Sequence, residues 1–183
     1  SSRPFRARSD LTLKGLYVTN KDELGSVLLR AIRVSADSVR IELDDCHVEW
    51  SSQSGFRLDN IDNNVILTNS IFSNIGNPVS PNNGRGVDDR GHDIDSLVVT
   101  NCTFYNVTNR VLNDLNGGKL NYFDFNHNTV VNVGMGPLEL GEVVEAHVTN
   151  NLFVNGMYFN VGSMGGNEIV EGYYIQASEL GAD

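Results

Sequence analysis

This chain of 183 residues contains two cysteines, four prolines, three lysines and one tryptophan, and each shortage excludes something. Two cysteines cannot build the disulfide framework that staples small secreted domains. No apolar run approaches the roughly 18 to 20 residues of a membrane-spanning helix, so no membrane insertion is expected. Thirteen basic residues against 23 acidic ones leave a net charge of −10, the wrong sign for nucleic acid or an anionic bilayer. The same charge is compatible with Ca²⁺ or with neutral sugars. Linkers and low-complexity tracts are also missing, so residues 1–183 read as one domain, and 40% hydrophobic content suffices for a continuous core. The basic residues near Ser1 are followed by Asp10 and alternation, not by the apolar stretch of a signal peptide. The expectation is a leader already removed, or a piece of a longer chain.

What the chain does have is a repeat. With Asn69 as position zero, equivalent places fall at Gly15, Asp45, Asn69, Asn101, His127, Asn150 and Gly172, spaced by 30, 24, 32, 26, 23 and 22 residues. Two places earlier stand Leu13, Leu43, Leu67, Val99, Phe125, Val148 and Val170; three places later stand Val18, Val48, Phe72, Phe104, Val130, Phe153 and Ile175. All fourteen are apolar, and self-similarity at such a period is the mark of a solenoid. Leu97, Val99 and Asn101 alternate with Val98 and Thr100, so the period within a copy is two and the element is a strand. One such strand cannot bury its apolar face alone. Stacked copies can, each strand pairing with its equivalent roughly 4.8 Å away, which puts Phe72 under Phe104 and Leu67 under Val99.

The Asn positions are read as architecture. Position zero should turn inward at a bend and satisfy backbone groups along the stack. His127 would take this place as a hydrogen-bonded core residue, and a second ladder would follow at Asn20, Asn74, Asn106, Asn132 and Asn155. Asn101-Cys102-Thr103 and Asn106-Val107-Thr108 match the N-glycosylation pattern, but Asn101 should be buried and unavailable. Cys46 and Cys102 follow position zero in coils two and four, about 10 Å apart by strand spacing, too far for a disulfide. They are expected as packed free thiols. A second strand per coil is expected at Val27–Ile32, Phe56–Leu58, Val87, Val111–Leu112, Leu138–Leu140 and Tyr158–Val161, with strand favoured over helix for Asp22–Arg33.

Three constellations are candidates for a site. The insertion 77–95 is the most charged stretch and carries Arg85, Asp88, Asp89, Arg90, His92 and Asp93 on what should be a loop. An outward, solvent-facing stripe on the second strand would line up Arg57, Asp88, Asn113 and Glu139, groups suited to sugar hydroxyls, with Asn160 following. The third is Asn126-His127-Asn128 with His147. No second His or Cys lies at ligand spacing, so no metal site is expected.

Phrases such as Thr100-Asn101-Cys102-Thr103-Phe104-Tyr105-Asn106-Val107, Asn128-Thr129-Val130-Val131-Asn132 and Asn151-Leu152-Phe153-Val154-Asn155 resemble the coils of the right-handed parallel β-helix, pectate-lyase-like superfamily. The resemblance spans residues 10–176 and is closest to secreted bacterial β-helix domains, where an Asn-Tyr-Tyr-like stretch such as Gly172-Tyr173-Tyr174 closes the last coil. It implies an all-β, right-handed parallel β-helix of about seven coils, secreted or at the cell surface, with a polysaccharide as partner. The superfamily's lyases use Ca²⁺ held by acidic residues, then a Lys or Arg base. Glu139, Glu142 and Glu145 are followed by no lysine, the last being Lys119. Arg57, Arg90 or Arg110 would have to serve with Asp59, Asp88, Asp89 or Asp114. No residue matches a catalytic motif position by position, so the catalytic residues stay unknown. Polysaccharide binding is the leading expectation, beside a lyase or glycoside hydrolase acting on an acidic polysaccharide, and beside an end-to-end self-association of solenoids.

Overall fold

The computed structural model describes residues 5–77, 83–114 and 118–156, and the backbone of 175–180. After a short β1 (Phe5–Ala7) the chain makes six turns, each of three strands. The first three turns are β2 (Leu11–Lys14), β3 (Tyr17–Thr19) and β4 (Arg30–Val34); β5 (Arg40–Asp44), β6 (His47–Ser51) and β7 (Ser54–Leu58); β8 (Asn63–Thr68), β9 (Ile71–Ile75) and β10 (Arg85–Asp88). The fourth is β11 (Ile94–Thr100), β12 (Thr103–Val107) and β13 (Arg110–Asn113). The fifth runs through β14 (Lys119–Asn126) and β15 (Thr129–Val133) into β16 (Leu138–Thr149), whose second half opens the sixth turn; β17 (Leu152–Gly156) and β18 (Ile175–Leu180) follow.

The ladder pairings are parallel and join each strand to its equivalent one turn on, in three stacks. The first is β2-β5-β8-β11-β14-β16, the second β3-β6-β9-β12-β15-β17, and the third β1-β4-β7-β10-β13-β16 with β18 beneath β16. This is an all-β parallel solenoid. The repeat register holds residue by residue: Leu13, Leu43, Leu67, Val99, Phe125 and Val148 pair in series, as do Val18, Val48, Phe72, Phe104, Val130 and Phe153. These two rows and the Ile32, Phe56, Val87, Leu112, Leu138 row converge on one core. Each fully buried Phe, Leu or Ile there contributes about 1.5–3 kcal/mol.

Of the seventh copy's three marked positions only Ile175 is described. Gly172, Val170, Tyr158–Val161, Asn160 and Tyr173-Tyr174 lie outside the described residues. Ile175, expected beneath Phe153, instead pairs with Leu138 in the third stack. Asp22–Arg33 contains no helix: Asp22 Oδ1 accepts from the Leu24 and Ser26 amides to form a turn, and the strand starts only at Arg30. No helix among the described residues is long and apolar enough to cross a membrane.

Position zero also departs from expectation. Asp45, Asn69, Asn101, His127 and Asn150 have φ between 51 and 57° and are exposed, not inward. The left-handed backbone makes the corner, which Asn and Asp tolerate best. His127 is therefore a surface turn residue, and Asn101 lies at the surface, its Nδ2 donating to Asn69 Oδ1 at 2.8 Å. The inward polar row sits one place later, at Cys46, Ser70, Cys102, Asn128 and Asn151. Asn128 Oδ1 accepts from the Cys102 amide at 2.8 Å, Asn151 Oδ1 from the Asn128 amide at 2.8 Å, and Ser70 Oγ from the Cys46 amide at 3.0 Å. Both cysteines are buried free thiols in this row with Ser70 between them, and burial pushes the Cys102 thiol up to about 12. The second ladder holds as amide on amide from Asn74 onward: Asn106 donates to Asn74, Asn132 to Asn106 and Asn155 to Asn132, at 3.0–3.1 Å, whereas Asn20 is outside it, buried and donating to Ser51 Oγ at 2.7 Å.

Candidate functional site

The third stack carries the expected stripe in perfect register. Arg6, Arg33, Arg57, Asp88, Asn113 and Glu139 pair in series, one per turn. Only its arginine end reaches solvent, however, with Arg6 exposed and Arg33 and Arg57 half-buried. Asp88, Asn113 and Glu139 are only 2–3% exposed. Such groups are buried only when partnered, and for Asp88 and Glu139 the partners are arginines of the same stack. Arg85 Nη1 lies 3.3 Å from Asp88 Oδ1, and Arg110 Nε lies 2.6 Å from Glu139 Oε2. One turn earlier, Arg57 Nε donates to Asp59 Oδ1 at 2.6 Å while Arg33 Nε engages Asp59 Oδ2.

These pairs set the protonation states. Burial pushes the Asp59 carboxyl up, but the hydrogen bonds and charges of Arg57 and Arg33 outweigh it and hold Asp59 below the ordinary value. At Glu139 burial wins: its carboxyl is raised despite the opposing charges of Arg110 and Arg85, and the Asp114 charge raises it further.

The insertion resolves into three parts. Arg85–Asp88 is a strand of the third stack, so Arg85 and Asp88 belong to the sheet and not to a loop. Residues 78–82 lie outside the described residues. Arg90 and His92 sit in the turn that follows, Arg90 exposed with φ 65° and His92 half-buried, away from the stripe's ion pairs. Asp89 is buried, at 3% exposure. It comes one place past the end of its strand, level with Leu58 one turn earlier and with Asp114 and Leu140 in the next two turns. Asp89 and Asp114 therefore face each other as a carboxyl pair inside the wall. Burial, then the hydrogen bond and charge of Asp114, raise the Asp89 pKa far above the carboxylate range, while the Gly91 amide opposes. Asp114 Oδ2 accepts from the Gly141 amide at 3.2 Å.

The structure thus brings Arg57, Arg85, Asp88, Asn113 and Glu139 onto one stack and leaves Asp89, Arg90 and His92 outside its ion pairs. Sequence reasoning missed Arg33, and it reached Asp59 and Arg110 only as what the lyase resemblance would require, although the signal of all three was available. Arg30 and Arg110 stand in register with Ser54 and Arg85, and Arg6 and Arg33 with Arg57. Six of the ten arginines of an acidic chain (Arg6, Arg30, Arg33, Arg57, Arg85 and Arg110) lie on this one stack, against Asp59, Asp88 and Glu139. His147 lies elsewhere, exposed on the first stack and 2.7 Å from Glu145. Among the described residues no three His, Cys, Asp or Glu side chains converge so as to hold a metal ion.

No family model, curated protein or solved structure compared with the chain matches it.

Proposed function

We propose that this solenoid is a polysaccharide-binding domain, secreted or at the cell surface and akin to pectate-lyase-like right-handed β-helices, that holds an acidic glycan along the third stack. The observation that carries the reading is the gathering of six arginines on one stack of a chain with net charge −10. Guanidinium groups match carboxylate geometry in pairs of parallel hydrogen bonds, and one stack of strands repeats them every roughly 4.8 Å. The partly exposed ends of Arg33, Arg57 and Arg85, at 15–24%, lie over the more buried acids. Asp88 and Glu139 are each capped by a guanidinium, so the face favours holding a polyanion over abstracting its protons.

Affinity electrophoresis in gels containing polygalacturonate, alginate or neutral xylan tests the reading. Retardation by the two acidic polymers, weakened by salt, is expected. The double variant Arg57→Gln with Arg85→Gln should migrate freely while keeping its far-ultraviolet spectrum. Unsaturated product appearing by ultraviolet absorbance, with or without Ca²⁺, would move the assignment to a lyase. Equal migration in all gels would sink it.

A further inference from the structure

Trp50 has a φ of 61°. A left-handed backbone is strained for so bulky a side chain, and such outliers persist where something else requires them. In the four turns that follow, this corner is filled by Asn74, Asn106, Asn132 and Asn155, at φ 53–56°. Their side-chain amides bond one to the next from Asn155 to Asn74. Trp50 stands in the next place and departs from both habits: it takes on the strain and interrupts the amide ladder. It is the chain's only tryptophan and is half-buried, so core packing does not account for it. The corner beneath it is fixed, since the buried Asn20 donates through Nδ2 to Ser51 Oγ at 2.7 Å. Over the ring lies Lys21, its Nζ 4.4 Å from the centroid.

A flat aromatic surface with a cation beside it therefore sits at the corner where the second stack passes into the arginine-bearing third. We propose that Trp50 and Lys21 form a uronic-acid subsite at the margin of that face, the C–H side of a pyranose lying on the indole and the Lys21 ammonium pairing with the sugar carboxylate. Tryptophan joins a large apolar face to a polar edge, as a ring with C–H groups on one side and hydroxyls around its rim requires. Lys21 is exposed on a flexible stem, so its ammonium can pass from the ring to a carboxylate without moving the backbone, which its bridge to Val27 fixes. The subsite rests on the acidic-polysaccharide reading and gives it a defined place.

Because indole emission comes from one residue, titrating the intact chain with oligogalacturonate reads the subsite directly, with a neutral xylo-oligosaccharide as control. A saturable emission change with the acidic ligand alone is expected. By calorimetry, Trp50→Asn should bind at least about tenfold more weakly, a change in affinity of the size one lost anchor produces. Trp50→Tyr should retain most of the affinity. The melting temperature of Trp50→Asn should equal or exceed the parent's, since asparagine accepts this backbone in four other turns. Unchanged affinity in Trp50→Asn, or a lowered melting temperature, overturns the subsite while leaving the arginine face standing. Failure of the parent to bind either oligogalacturonate or polygalacturonate overturns both.

Discussion

The rings of Phe72 and Phe104 lie 4.9 Å apart, centroid to centroid, and within 10° of parallel. They belong to successive turns of the second stack, and Phe104 also meets Phe125 of the first stack at 6.2 Å. Phe104 is therefore a junction between turns and between stacks, and it is fully buried. Truncating it leaves a cavity that a ladder of backbone hydrogen bonds cannot collapse around. Phe104→Ala should cost about 3–5 kcal/mol, lowering the melting temperature by roughly 6–20 °C for a chain of this size. Phe104→Leu should lose much less. Thermal unfolding followed by far-ultraviolet dichroism separates the two.

Asn106 combines two demands that different substitutions take apart. Its Nδ2 donates to Asn74 Oδ1 and its Oδ1 accepts from Asn132 Nδ2, both at 3.1 Å, while its φ is 54°. Asn106→Ala loses both bonds and strains the backbone, at about 1–2 kcal/mol. Asn106→Gly loses the bonds but keeps the backbone relaxed, so it should fall between parent and alanine variant. An alanine variant as stable as the parent would mean that the amide ladder contributes nothing.

The repeat made the turns legible because stacking forces like residues into register, so Leu67 over Val99 and Phe72 over Phe104 follow from spacing alone. Side-chain direction at the corners was not legible. A residue with positive φ re-aims the chain, and that moved the inward polar row from Asn101 to Cys102 and Asn128. The Arg57, Asp88, Asn113, Glu139 row was readable as a line, because strand parity fixes it. Its burial was not, since Arg85 and Arg110 reach it from a neighbouring position that parity does not describe. Asp89 looked like a loop carboxylate next to Asp88, yet it occupies a wall position that Leu58 and Leu140 fill in other turns.

The Asp89 and Asp114 pair gives stability a definite pH dependence. Asp114 Oδ1 has no hydrogen-bond partner among the described residues, and a proton on Asp89 supplies one. The Asp88 charge raises Asp89 further, and Asp114 in turn raises Glu139, against the opposing charges of Arg110 and Arg85. The folded pKa of Asp89 is raised, so the folded state holds a proton that the unfolded chain releases near pH 4. Its contribution is fully present below that pH and is lost as pH rises through the folded value, by up to about 1.4 kcal/mol per pH unit. Asp89→Asn offers an amide hydrogen to Asp114 Oδ1 at every pH. Urea unfolding from pH 5 to 9 should show a falling stability for the parent and a flatter line for Asp89→Asn. Parallel lines would show that the pair shares no proton.

Glu139 offers a test of sign for the arginine face. Its carboxylate lies 2.6 Å from Arg110 Nε and cancels one of the positive charges available to a polyanion. Glu139→Gln keeps the shape of the side chain and removes that charge. Leaving Arg110 without its acid should cost about 1–3 kcal/mol of stability, visible as a lower urea midpoint. Binding should move the other way. With one more uncompensated guanidinium, polygalacturonate should be held several-fold more tightly at low salt, and the gain should shrink as ionic strength rises and the Debye length falls to about 8 Å near 0.15 M. A structural role for Glu139 alone would weaken fold and binding together, so opposite movements of the two quantities identify the face as the place where the charge of the ligand is read.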